Sequence, residues 1–78
     1  MNRKIRLIWD FHGMDSEGTA KHHVKHLIQF MDREDLECLR SAVFTANEMH
    51  HMACITVNES DVRVIRDSLK PHRALIIE

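Results

Sequence analysis

The chain has 78 residues, 44% of them hydrophobic and 29% charged, and its formal net charge is −1 from 11 basic and 12 acidic side chains. That length and balance describe one small domain spanning residues 1–78, with a thin stability margin and no room for a second core. It argues against nucleic acid as a partner, since there is no basic run and there are no paired aromatics, and the apolar stretch at residues 74–77 is far too short to cross a bilayer.

The segment "KIRLIWDFHG" alternates in polarity. Ile5, Leu7, Trp9 and Phe11 point one way and Arg6, Ile8, Asp10 and His12 the other, which predicts a half-buried strand ending at Gly13. Asp15 and Ser16 are good helix N-cap residues, and Glu17 suits a first helical turn. Ala20, Val24, Leu27 and Met31 then recur at helical spacing, with His23 and Phe30 flanking the stripe. The charged run from Asp32 to Asp35 should end this helix.

The middle of the chain reads two ways. Leu36, Leu39, Val43 and Ala46 would suit a second helix, so periodicity alone leaves residues 36–50 open between helix and strand. A hairpin is the preferred reading, with "SAVFT" pairing against the β-branched "ACITV" across a turn near residues 48–50. Beyond it, Ser60 offers an N-cap, Val62, Ile65 and Leu69 form an apolar line, and Pro71 supplies a stop. "RALIIE" is expected as a final strand.

The element order βαββαβ predicts an α+β, ferredoxin-like split βαβ arrangement, a four-stranded antiparallel sheet with two helices on one face. This is a resemblance of architecture, and the architecture serves many functions. Cys38 and Cys54 form no CxxC motif. Residues 1–6 are basic but no apolar signal core follows, so reduced thiols and a cytoplasmic location are expected.

The seven histidines are the unusual feature. In the expected topology His12, His50, His51 and His72 gather at one end, and His22, His23 and His26 lie on the adjoining half of the first helix. His22 and His26, at i and i+4, have the spacing of a chelating pair, although HxxxH lacks the glutamate of HExxH. His12 and His50, with Asp10 or Glu48 as carboxylate, make a second candidate cluster, while His51 should face the other side of the sheet from His50. His12, His22, His26 and His50 are therefore the expected ligands of a divalent metal such as zinc or nickel, or of a small ligand.

The alternative is an interaction module that self-associates as a homodimer through its open sheet face. Ile8, Val43, Met52 and Cys54 are expected to point away from the helices there. A third reading takes Asp10 and His12 as an acid/base pair, but no nucleophile motif accompanies them.

Overall fold

A computed structural model describes residues 3–77. The elements are β1 (Lys4–His12), α1 (Ser16–Arg33), β2 (Cys38–Asn47), β3 (His50–Asn58), a single 3₁₀ turn (Glu59–Asp61), α2 (Val62–Leu69) and β4 (Arg73–Ile76). The four strands form one sheet in the order β2-β3-β1-β4, and every neighbouring pair is antiparallel. The hairpin reading of the middle segment holds, with Glu48 and Met49 as the turn between β2 and β3. The last residue of the expected final strand, Glu78, lies outside the described residues.

The alternation in β1 decides which face is covered. Ile5, Leu7 and Trp9 share a core with Ala53, Ile55 and Val57 of β3, with Ala20, Leu27, Phe30 and Met31 of α1, and with Ile65 of α2. Both helices therefore pack on the same face of the sheet. Three turns in α1 bring Ala20, Leu27 and Met31 onto one stripe, and that stripe is fully withdrawn from solvent.

Asp15, one of the two expected candidates, occupies the N-cap of α1, and the expected cap of α2 shifts by one residue from Ser60 to Asp61, but neither side chain makes a capping bond. The carbonyl of Asp15 instead accepts from both the backbone N–H and the hydroxyl of Thr19. Ser16 is the first helical residue and turns inward, and Ser60 falls inside the 3₁₀ turn.

At the other end of α1, Asp35 adopts a left-handed φ of 56° and the Leu36 N–H donates to the Met31 carbonyl at 2.8 Å. That bond satisfies a carbonyl the helix end would leave orphaned, and Leu36 packs against the core. Gly13, with φ of 111°, makes the turn out of β1 and donates its N–H to the Met49 carbonyl in the hairpin. A side chain at Gly13 would be strained there whatever the space around it.

Trp9 ties the short α2 to the sheet. Its indole Nε1–H donates to the Leu69 carbonyl at 2.9 Å, satisfying one acceptor in the last turn before Lys70 and Pro71 end the helix. Trp9→Phe keeps most of the buried ring and loses this bond, so urea denaturation should show a loss of about 1 kcal/mol. A variant as stable as the parent would mean the bond contributes nothing net.

Candidate functional site

The face of the sheet opposite the helices has no covering element among the described residues. It is a grid set by strand register. Leu75, Arg6, Thr56 and Arg40 form one row across β4, β1, β3 and β2. Arg73, Ile8, Cys54 and Ala42 form the next, followed by Asp10, Met52 and Phe44, and then His12 and His50.

One expectation for this face is corrected. Ile8, Met52 and Cys54 do point away from the helices, but Val43 does not. Val43 pairs with Ala53 and packs against the core, so Ala42 and Phe44 take the open side. The hairpin register decides this, with shifts between Thr45 and Asn47 and between Cys38 and Arg40. A one-residue change of register exchanges the two faces of a strand.

The centre of the face is shielded by its own long side chains. Ile8 and Cys54 are 4% and 3% exposed. Above them the Arg6 guanidinium lies 5.1 Å from the Phe44 ring centroid, and an Arg73 N–H donates to the Met52 sulfur. Burial pushes the Cys54 thiol upward, against the opposing pull of Arg6 and Arg73, which disfavours the reactive thiolate. Cys38 lies on the helix side of the sheet and is likewise pushed up by burial. Both cysteines are free.

Asp10 organises the end of this face. Its side chain is 16% exposed and lies 2.7 Å from His50 Nε2. It also accepts two bonds from Arg73, at 3.0 Å from Nε and 2.8 Å from a terminal nitrogen. Partial burial works to raise the carboxyl pKa, but the His50 and Arg73 hydrogen bonds and charges outweigh it and hold the group below its ordinary value. The backbone N–H of Asp10 donates to His72 Nδ1 at 2.8 Å, which assigns that nitrogen as an unprotonated acceptor.

His12 stacks on His50 with ring centroids 4.2 Å apart. The histidine hydrogen-bonded to the Asp10 carboxylate is His50, across the sheet, rather than His12, two positions along the same strand. Diagonal cross-strand neighbours lie within reach of side chains of this length. Arg73 was not singled out by sequence reasoning. The available signal was its position just after Pro71, at the end where β4 must begin beside β1.

The histidines do not lie on one side of the sheet. His12 and His50 are on the open face. His22 and His26, with ring centroids 4.4 Å apart, are exposed on α1, which packs on the opposite face. Glu48 is exposed in the hairpin turn. Thus the structure brings His12 and His50 together, and separately His22 and His26, but does not join the pairs. Among the described residues no group of three or more His, Cys, Asp or Glu is placed to hold a metal ion.

The two remaining histidines are internal. His51 is buried, and its Nδ1 shares a 2.7 Å hydrogen bond with Ser16 Oγ. This serine–histidine contact joins β3 to the start of α1 and is shut away from solvent, which suits a structural bond rather than a nucleophile.

His23 sits between Trp9 and Phe11, each ring centroid 5.3 Å away, and its buried Nε2 has no partner. Burial, followed by the charges of His26, His72 and His22, lowers its pKa below the ordinary 6.5. The unfolded chain therefore binds a proton here that the folded chain resists. The corresponding stability is present above pH 6.5 and is lost as pH falls through the folded value. His23→Phe removes both the orphaned nitrogen and this proton. It should stabilise the protein by about 1 kcal/mol at pH 7 and flatten the decline below pH 6.5, read from urea midpoints at several pH values. An unchanged pH slope would assign the decline to other groups.

Comparison of the chain with protein-family models, with curated proteins and with solved structures returns no match.

Proposed function

We propose that the chain is a ferredoxin-like βαββαβ binding module that works through the uncovered face of its sheet and carries no chemistry of its own. The fold assignment rests on β1 flanked by β3 and β4, with one helix in each of the β1–β2 and β3–β4 connections and a hairpin between β2 and β3. The observation that carries the function is the open face itself. It exposes Phe44, Leu75 and Ile77, at 40%, 48% and 41%, beside the cations Lys4, Arg6 and Arg40. An apolar sheet face favours burial, and the binding of another molecule provides it.

A second copy is one occupant, and the exposed apolar side chains support it. The cations oppose it, because two such faces bring like charges together. Face-to-face self-association should therefore strengthen as salt screens them. Sedimentation at 50 and 500 mM salt, on the parent and on Phe44→Asp/Leu75→Asp, tests the face directly. The expected result is a folded double variant that has lost whatever association the parent shows at high salt. Association that survives both substitutions would remove the sheet face from the proposal.

A ligand or divalent metal at the histidine-bearing end is a second reading, supported by the stacked His12–His50 pair beside Asp10. Zinc or nickel titration tests it. Binding that disappears in His50→Ala and weakens below pH 6.5 supports the reading; binding lost only in His22→Ala/His26→Ala moves the site to α1.

A further inference from the structure

The charge on the open face discriminates among its possible partners. Arg6 and Arg40 flank Thr56, one strand to either side. Their backbones are about 10 Å apart, two inter-strand spacings. Lys4 follows on the same side of β1. Beside this row is a depression of about 230 Å³ lined by Lys4, Leu39, Arg40, Thr56 and Ile77. Leu39 reaches it because the register shift between Cys38 and Arg40 makes it the extra residue of β2.

These cations are unlike Arg73, which Asp10 neutralises. Among the described residues none of Lys4, Arg6 and Arg40 has a carboxylate within ion-pair distance. Glu37, at the lower margin, accepts instead from Asn58. Among the described residues the face thus presents three positive charges without a carboxylate partner, set among apolar side chains, on a chain whose net charge is −1.

A second copy is poorly matched to this pattern. Its own open face repeats the cations. Its helices are no better, because α1 carries three basic and two acidic residues and α2 carries two basic and one acidic. Single-stranded nucleic acid is also a weaker match. Bases stack on aromatic rings, and the rings on the grid are Phe44 and the stacked His12–His50 pair, which lies beyond the Asp10 carboxylate, three rows from Arg6 and Arg40.

We infer that the open face seats an acidic, amphipathic segment of a different protein. Its carboxylates would meet Arg6, Arg40 and Lys4, and its apolar side chains would cover Phe44, Leu75 and Ile77. This rests on the sheet-face reading above and names the partner for that same surface. Charge complementarity of this kind sets specificity and association rate, and apolar contact supplies the remaining affinity.

The test is a titration of the full ¹⁵N-labelled chain with three probes. They are a synthetic amphipathic helix with glutamates on one side and leucines on the other, the same peptide with lysine for glutamate, and a short single-stranded oligothymidylate. The glutamate peptide should shift amides around Arg6, Arg40, Phe44 and Leu75, and its affinity should fall about tenfold between 50 and 300 mM salt.

Arg6→Glu/Arg40→Glu should weaken it by about tenfold or more. Arg6→Gln/Arg40→Gln should give a smaller loss of the same sign, and serves if charge reversal impairs folding. Arg63→Glu/Arg66→Glu makes the same charge change on α2, on the helix side, and should leave the affinity within about threefold, since only the long-range field is altered. Tighter binding of the oligonucleotide, or equal binding of the lysine peptide, at the same residues overturns the acidic partner while leaving the sheet face as the working surface. Shifts confined to α2, or no shift with any probe, overturn the inference. If sedimentation also shows no association through Phe44 and Leu75, the sheet-face reading falls with it.

Discussion

Ile55→Ala should destabilise the protein by about 2–5 kcal/mol, whereas Phe44→Ala should cost under about 1 kcal/mol. Ile55 is fully buried at the centre of β3, opposite Leu7 and within the cluster that both helices cover. Truncating it removes buried methyl groups and leaves a cavity whose walls relax only partly. A domain of this length holds roughly 4–12 kcal/mol in total, so the variant should be substantially unfolded in mild urea. Phe44, on the other face of the same sheet, is 40% exposed and has little native packing to lose. The contrast is read from urea midpoints at pH 7. Comparable losses at the two positions would mean that the open face is already part of the folding core, and would remove the argument that it is kept for a partner.

Asp10→Asn should cost about 2 kcal/mol at pH 7, because the carboxylate accepts charge-assisted bonds and its side chain is largely withdrawn from water. The estimate is held below a fully buried pair because the Arg73 side chain is half exposed. The sign with pH follows from the depressed carboxyl. Its contribution is complete above the ordinary value of 3.8 and is lost as pH falls through the lower folded value. The parent should therefore lose stability more steeply than Asp10→Asn in that acid window, where the two converge. Parallel pH profiles would show that the Asp10–Arg73–His50 contacts are geometrically present but energetically idle. His23 begins to act as pH falls below 6.5 and Asp10 only below 3.8, so the two residues can be told apart by where each substitution first flattens the curve.

The two experiments probe opposite sides of one sheet, and the sequence is legible on those sides to different degrees. Strict alternation from Ile5 to Phe11 marks β1 and its buried side, since successive strand residues point to opposite faces. The Ala20, Leu27 and Met31 stripe likewise marks α1 and the side it buries. Pro71 marks the end of α2. Local periodicity carries all of this, because burial on one face imposes a repeat that a single segment displays. The middle segment was less legible. No Asn-Gly or Asp-Gly fixes the β2–β3 turn, so nothing local says whether Val43 or Phe44 faces the helices.

The candidate surface depends on contacts that no segment contains. Asp10 meets His50 and Arg73, separated from it by 40 and 63 residues. Arg6 and Arg40 become neighbours of Thr56 only through two strand pairings with defined registers. The sequence by itself determined β1, α1, α2 and β4 and the covered face of β1, because each follows from local periodicity or a stop signal. The β2–β3 hairpin, open against a helix over residues 36–50, came with the strand pairing, as did the shared end of four histidines that depends on it. Only the tertiary structure decided which histidine bonds the Asp10 carboxylate, that the two histidine pairs lie on opposite sides, and that cations without a carboxylate partner among the described residues collect on one face of the sheet. Net charge averages over the whole chain and hides that segregation; strand register, which acts between distant segments, creates it.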